Sequence, residues 1–426
     1  MKTALFIFAL LMFSNQFLSA QSFMLVPQPT SPVSQQGDIA LLPTVIRIAA
    51  PDDSAWQSHL KIFGVHVGRL TGGRHRVEFS AEDTANVVVM RDADSPNEAY
   101  QIDTREEEPI QIRASSLKGL THATATLLQV IGASPEGKLQ TVSIDDRPSA
   151  SYRNFMIDMG RNPHSVELLK ETIDLLWFYK VDSVQLHLTD DQRFAFPSTA
   201  FPELWDGKIT LEQFKELEAY AVARGVTIIP ELEVPGHSGL LRSRYPEVFG
   251  KTATELATSD VALKGIKTLL DEMMDVFSSS PFIHVGGDEA FGVPEEAQRD
   301  LINALHAYLK SKGRQTLVWE GPRPGEGDNR VNKDVIHLNW RTINYPANRM
   351  LEDGYRVINA AWDPLYLVDH YPRTNFTMTS PQHIYETLKL TRFKHVNPGI
   401  STFAKPIEVQ PTKQLIGFCM PWWEGR

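Results

Sequence analysis

The sequence predicts an α/β fold: a (β/α)8 (TIM) barrel preceded by a small α+β domain. Three observations carry that expectation. From Tyr152 onward, strand-like runs alternate with helical ones, the pattern of a parallel sheet with crossover helices. The strand-like runs number eight over about 270 residues, the count and size of one barrel. Polar and ionisable residues gather at the ends of four successive strands, where such barrels carry their sites.

The chain has 426 residues, enough for two or three domains. Residues 1–20 stand apart. Lys2 is followed by the apolar run Ala4–Phe13 and then by Ser19-Ala20, the order of a secretory signal peptide. The run is too short to span a bilayer, and no later stretch is long and apolar enough to do so. Export is therefore expected, to the periplasm or the medium. The single cysteine, Cys419, allows no internal disulfide, which in an exported chain points to a bacterial source. Its thiol reads as a small buried hydrophobe, with no zinc framework around it. At 42% hydrophobic and 22% charged the composition is that of a soluble globular protein. The net charge of −10 argues against nucleic acid, whose phosphates call for a basic face.

Residues 22–148 form the first domain, opened by Pro27, Pro29 and Pro32. Strands are expected at Thr44–Ile48, Asn86–Met90, Ala99–Asp103 and Ile110–Arg113, with an amphipathic helix over Gly119–Ile131. Asp145-Asp146-Arg147-Pro148 reads as a polar connector that closes the domain. The barrel occupies 149–426. Its strands are expected at Arg153–Met159, Ser183–Leu188, Val226–Leu232 and Phe282–Val285, then Thr316–Trp319, Val335–Asn339, Arg356–Asn359 and Leu415–Phe418. Helical spacing marks Ser165–Tyr179, Leu211–Arg224, Val261–Phe277 and Glu295–Lys310. Residues 419–426 are too few for a helix over the eighth strand. The expectation there is a truncated barrel, or an uncovered apolar face that favours association.

The strand ends carry the chemistry. The first ends in Asp158-Met159-Gly160-Arg161 and the second in His187-Leu188-Thr189-Asp190-Asp191. The third ends in Glu231-Leu232-Glu233-Val234-Pro235-Gly236-His237, the fourth in Gly286-Gly287-Asp288-Glu289. Consecutive strand residues point to opposite faces, so Asp288 and Glu289 share a site only if Gly286-Gly287 turns the backbone. Two neighbouring carboxylates cannot flank a sugar ring from opposite sides. An ordinary retaining glycosidase needs its carboxyls about 5–5.5 Å apart across the bond, an inverting one about 6.5–9.5 Å. In a glycosidase, adjacency favours one carboxyl at the leaving oxygen, with the other orienting a nucleophile that the substrate carries.

His284-Val285-Gly286-Gly287-Asp288-Glu289 resembles the signature of family 20 of the glycoside hydrolases, the β-N-acetylhexosaminidases. The resemblance runs through Asp158-x-x-Arg161, His187-x-x-Asp190-Asp191-Gln192 and the Pro230-to-His237 segment. It continues in Trp319-Glu320, Trp340-Arg341, Pro364-Leu365-Tyr366 and Trp423-Glu424, and residues 22–148 are similar to the family's N-terminal domain. The resemblance implies exo-cleavage of terminal β-linked N-acetylhexosamine from an oligosaccharide or glycoconjugate, without metal or cofactor. It makes Glu289 the general acid and Asp288 the acceptor of the acetamido N–H. Asp190, Glu233 and His237 become the groups that position Glu289 and tune its proton affinity. Arg161 and Glu424 are expected on the sugar hydroxyls. Trp319, Trp340 and Trp423 would wall the pocket, with Tyr366 on the acetamido oxygen and Asp369 nearby. Glu233 departs from the family's usual Asp, and the Trp422-Trp423 pair leaves open which indole floors the site.

Two other function classes compete. A carbohydrate-binding protein that had lost catalysis would keep the aromatics and Arg161 without needing Glu289. A metal-dependent hydrolase could use His187, Asp190 and His237 as ligands, leaving the acidic pair and the aromatics without a role. Within the same chemistry, release of a disaccharide instead of a single sugar is a third reading.

Overall fold

The computed structural model describes residues 25–35, 40–105, 107–134, 137–342, 344–368, 380–394 and 405–424. Residues 1–20, where a signal peptide is expected, and Asp369 lie outside these. Among the described residues no helix is long and apolar enough to cross a membrane. The chain divides into two compact units, one up to Pro148 and one from Ser149 onward.

The first unit is the expected α+β domain. Its seven-stranded mixed sheet contains Val45–Ala49, Val87–Arg91, Tyr100–Asp103 and Ile110–Ala114, each within a residue of the expected run. Arg76–Phe79 and Val142–Asp146 add strands that the sequence reading passed over. The Asp145-Asp146 pair thus belongs to a strand and not to a connector. Asp146 is buried and accepts the Tyr100 hydroxyl at 2.7 Å. Two helices, Ser54–Leu70 and Leu117–Gly132, pack on one another, joined inside by His59 Nε2 and Thr124 Oγ1 at 2.7 Å. The first of these was not expected, yet its signals are present. Asp53 caps it by accepting from the Ala55 and Trp56 N–H groups, and Trp56, Leu60, Phe63 and Val67 form its buried stripe.

The second unit is a closed barrel. Its strands run Tyr152–Asp158, Ser183–His187, Thr227–Val234, Phe282–Gly286, Gln315–Trp319, Ile336–Asn339, Arg356–Asn359 and Leu415–Trp423. Neighbours pair in parallel, and the first strand pairs with the eighth to close the cylinder. All eight start within a residue of where the sequence places them, and the eighth runs on to Trp423, five residues past its expected end at Phe418. Parallel strands covered on both faces read as short apolar runs, and Ser183–His187 is buried at every position. The outer helices start on good caps. Ser165 caps Val166–Phe178, a Thr210/Gln213 capping box opens Leu211–Val222, and Ser259 caps Asp260–Val276. Glu295 and Glu296 face the N-terminal dipole of Glu295–Ser311.

Closure needs a close approach at Gly417, which pairs with Tyr152. A Cβ at position 417 would run into the Tyr152 backbone carbonyl. Gly417→Ala should therefore lower unfolding free energy by roughly 1–3 kcal/mol, the usual range for overpacking, measured by denaturant titration. A change below about 0.5 kcal/mol, typical of a surface position, would show that this register is wrong.

Candidate active site

The site is built around the end of the fourth barrel strand. After Val285 the backbone enters the left-handed region at Gly286 (φ 71°) and Gly287 (φ 99°), and Glu289 follows at φ 45°. Glycine adopts such angles freely, whereas Glu289 must be held there by its surroundings. The turn brings both Asp288 and Glu289 to one cavity. Glu233, from the end of the third strand, grips the turn: its Oε1 accepts the Gly287 N–H at 3.0 Å. A Cβ on Gly286 would collide with that carboxyl. Glu233 thus supports the backbone beneath the acidic pair, and it also reaches the cavity wall.

From the core to the rim, acidic and basic side chains alternate. Glu231 Oε1 lies 3.1 Å from His187 Nδ1, and His187 Nε2 is 3.1 Å from Asp190 Oδ2. The same Asp190 oxygen lies 3.5 Å from His237 Nδ1, and His237 Nε2 is 3.3 Å from Glu289 Oε2. Glu289 Oε1 is in turn 3.5 Å from Arg341 Nη1. Arg161 joins from the side, bound to Asp158 Oδ2 at 2.8 Å and Asp190 Oδ2 at 2.7 Å. Glu231 also accepts Trp319 Nε1 at 2.6 Å and Gln185 Nε2 at 2.7 Å.

The cavity holds about 370 Å³, within the ordinary range for small-ligand pockets. Trp340, Tyr366 and Trp423 wall it as expected, and Arg161 and Glu424 line it too. Trp340 and Tyr366 are stacked, with centroids 5.8 Å apart and planes 13° from parallel. Trp423 supplies the floor, under the Arg161 guanidinium at 4.9 Å, whereas Trp422 packs against Phe155 and His164. Trp319 does not line the cavity. It is fully buried one layer down, 5.7 Å from the Trp423 ring, because its indole N–H is committed to Glu231. The wall position falls instead to Trp362, which the sequence reading passed over although it lies four residues before Tyr366. Glu231 stands among the ionisable residues at the third strand end but has no role in the sequence reading; its signal is a carboxylate set in the apolar strand Thr227–Val234.

Electrostatics set the two catalytic candidates apart. Burial pushes Asp288 up to about 7, with Glu289 and Glu231 adding to the rise and His237 opposing it. The hydrogen bond from His237 holds Glu289 below the usual carboxylate range, assisted by Arg341. Burial works against charge on His237, but Asp190 and Glu289 outweigh it and push the imidazole up to about 12. His187 is raised to about 10 in the same way, by Glu231 and Asp190. Burial raises Glu233 well above its ordinary value, and Asp288 adds to this. Two groups have donor atoms close enough to share a cation: His187, Glu231 and Glu233, and Asp190, Asp191 and His237. In both, the flanking carboxylates favour the imidazolium, whose protons occupy the lone pairs a metal would need. Among the described residues no donor engages the Asp288 carboxylate, so it can accept an N–H from a ligand.

Residues 151–424 match the catalytic domain of glycosyl hydrolase family 20, and residues 23–147 match domain 2 of the same family. A β-hexosaminidase of Vibrio furnissii is 28% identical over 341 residues, covering 67% of this chain and 55% of that protein. A β-N-acetylhexosaminidase of Cellulomonas fimi is 26% identical over 283 residues, 60% of this chain and 57% of that protein. The chain thus spans little more than half the length of these relatives. Among solved structures, β-N-acetylhexosaminidase from Bacteroides fragilis superposes with a TM-score of 0.78 at 23% identity, over 94% of this chain and 86% of that one. An exo-β-N-acetylglucosaminidase from Vibrio harveyi, bound to N-acetylglucosamine, gives 0.76 at 21%, over 94% and 69%. At these identities the superpositions show the shared fold.

The raised imidazoles make stability depend on pH. A group whose folded value lies above its unfolded one stabilises fully below the unfolded value and loses that contribution as pH rises. For His187 and His237 the loss starts near their ordinary 6.5 and runs toward about 10 and about 12. Asp288, raised from 3.8 to about 7, acts in the same direction at lower pH. Unfolding free energy should thus decline between pH 6.5 and 9, by up to about 1.4 kcal/mol per pH unit for each imidazole. Asp190→Asn removes the carboxylate both rings share and should flatten the slope. A flat wild-type profile over that range would mean both imidazoles are neutral.

Proposed function

This chain belongs to glycosyl hydrolase family 20, and on that premise we propose that it removes terminal β-linked N-acetylhexosamine from the non-reducing end of an oligosaccharide or glycoconjugate. The observation that carries this reading is the Gly286-Gly287 turn, which presents two consecutive carboxylates to one cavity. Carboxylates placed so cannot act from opposite faces of the ring. The nucleophile is then the substrate's own 2-acetamido oxygen.

Asp288 accepts the acetamido N–H, a charge-assisted bond worth about 1.5–3 kcal/mol, and so aims the carbonyl oxygen at the anomeric carbon. That oxygen forms the new C–O bond as the glycosidic bond breaks, while Glu289 gives its proton to the departing oxygen. The product is a cyclic oxazolinium, whose positive charge Asp288 offsets. Glu289, now ionised, takes a proton from water as that water attacks the anomeric carbon, which reopens the ring with net retention. Arg161 and Glu424 hold ring hydroxyls, and Trp340, Trp423 and Tyr366 enclose the sugar and its acetamido group.

The perturbed carboxyls fit this sequence of steps. In the free site the two neighbours compete for charge: burial favours a proton on Asp288, and His237 favours charge on Glu289. An amide N–H arriving at Asp288 stabilises its carboxylate. The proton of the pair is thereby shifted toward Glu289, where the leaving oxygen needs it. The order of Lys2, Ala4–Phe13 and Ser19-Ala20 supports export of the chain to the periplasm or the medium. The net charge of −10 favours a carbohydrate over a nucleic acid as partner.

An aryl β-N-acetylglucosaminide should be turned over and the matching plain β-glucoside should be inert, because the hydroxyl analogue lacks both the attacking oxygen and the partner of Asp288. Isolation of a sugar ester on Asp288 or Glu289 would sink the scheme. Glu289→Gln should cut turnover of unactivated oligosaccharides by roughly 10²–10⁴ and spare aryl substrates with good leaving groups. Equal losses on both would remove the acid role. In the unaltered protein kcat/KM should fall as pH rises above about 7, where the Asp288–Glu289 pair loses its proton. A profile level to pH 9 would contradict that.

A further inference from the structure

The run of alternating charges ends at Arg341, a side chain the proposed reaction does not use. Resting on the hydrolase reading, we propose that Arg341 is a specificity-determining residue on the leaving-group side of the site, and that the preferred leaving sugar carries an anion, a carboxylate or a sulfate ester.

Position comes first. Glu289 marks where the glycosidic oxygen must lie. The cavity on one side of it, lined by Arg161, Trp340, Tyr366, Trp423 and Glu424, takes the sugar to be released. Arg341 reaches the same carboxylate, Nη1 to Oε1 at 3.5 Å, but does not line that cavity. It therefore faces the other half of the substrate. Its guanidinium lies 5.1 Å from the Trp340 ring, and the side chain keeps 28% of its surface exposed.

The side chain is also mounted on a fixed backbone. Buried Glu320 accepts the N–H groups of Arg341 at 3.0 Å, Thr342 at 2.5 Å, Asn344 at 2.9 Å and Tyr345 at 3.2 Å. Thr342, a β-branched residue, sits at φ 60°, an angle such a residue holds only when its surroundings impose it.

Chemistry supplies the substrate class. The charged groups facing Glu289 are His237, Asp288, Arg341 and, at longer range, Arg161. His237 and Arg161 are both tied to Asp190. Arg341 has no carboxylate but Glu289 among the described residues. A cation aimed at the acid favours its ionised form, which opposes proton donation. An anion on the leaving sugar would take up the guanidinium in a forked, charge-assisted bond. Glu289 would be released to hold its proton when that substrate is bound.

The test compares three disaccharides with the same N-acetylglucosaminyl end: a neutral leaving sugar, one bearing a carboxylate ether and one bearing a sulfate ester. In the unaltered protein kcat/KM should be about tenfold higher for at least one anionic substrate than for the neutral one, and the advantage should shrink with added salt. Arg341→Ala should abolish the preference and Arg341→Lys should keep part of it. Arg341→Gln, closer in size, replaces the alanine variant if that one does not fold. On the neutral substrate Arg341→Gln should also move the alkaline limb of kcat/KM upward, which loss of packing alone would not do. Turnover of the neutral disaccharide speaks for the hydrolase reading by itself. Equal kcat/KM on all three, or a preference retained in the alanine or glutamine variant, overturns the role of Arg341 and leaves that reading standing. No turnover of any of them overturns both.

Discussion

Two neighbouring side chains on a strand point opposite ways, and the site exists because the chain breaks that rule once. The break at Gly286-Gly287 needs φ values that only glycine takes freely, and it leaves Glu289 in a conformation it would not choose. The surroundings are arranged to hold it. Glu233 fixes the Gly287 N–H, and His237, itself at positive φ, meets the Glu289 carboxylate. The unusual backbone and the unusual protonation states are thus one problem with one set of partners.

Those partners reach deep into the barrel. Setting five ionisable groups in a row, the inner three buried and His237 and Glu289 partly exposed, is unfavourable unless each is paired. Here every carboxylate from Glu231 to Glu289 has a cation on at least one side, and His187 and His237 each lie between two carboxylates. Trp319 and Gln185 satisfy the inner end by donating to Glu231. This explains why Trp319 is buried although it ends a barrel strand beside the site. Its indole N–H serves the carboxylate, and its ring supports Trp423 above.

The barrel was legible because most of its strands are buried at nearly every position and so read as short apolar runs between turn residues, whereas Leu415–Trp423 alternates buried and half-buried residues. The site's ionisable residues were legible because strand order alone fixes the end of the barrel at which they gather. Depth was not legible. Sequence gives no means of telling a residue that lines a cavity from one that supports the lining, so Trp319 was assigned to the wall and Trp362 was missed. Glu231, named at the strand end, has no role in the sequence reading for the same reason, being two residues from Glu233 with the same side-chain chemistry. In the first domain the helix Ser54–Leu70 was missed despite a good cap and a regular stripe. The two glycines, Gly64 and Gly68, and the two histidines within it interrupt the period.

Among the described residues Glu320 gathers four main-chain N–H groups and the Asn339 side chain onto one buried carboxylate. Within the rim loop the described groups it holds are backbone N–H groups, so the shape of the loop does not depend on which side chain stands at position 341. Scaffold and side-chain chemistry are thereby separated: the residue at 341 can be exchanged, and the charge it presents to Glu289 altered, without rebuilding the loop.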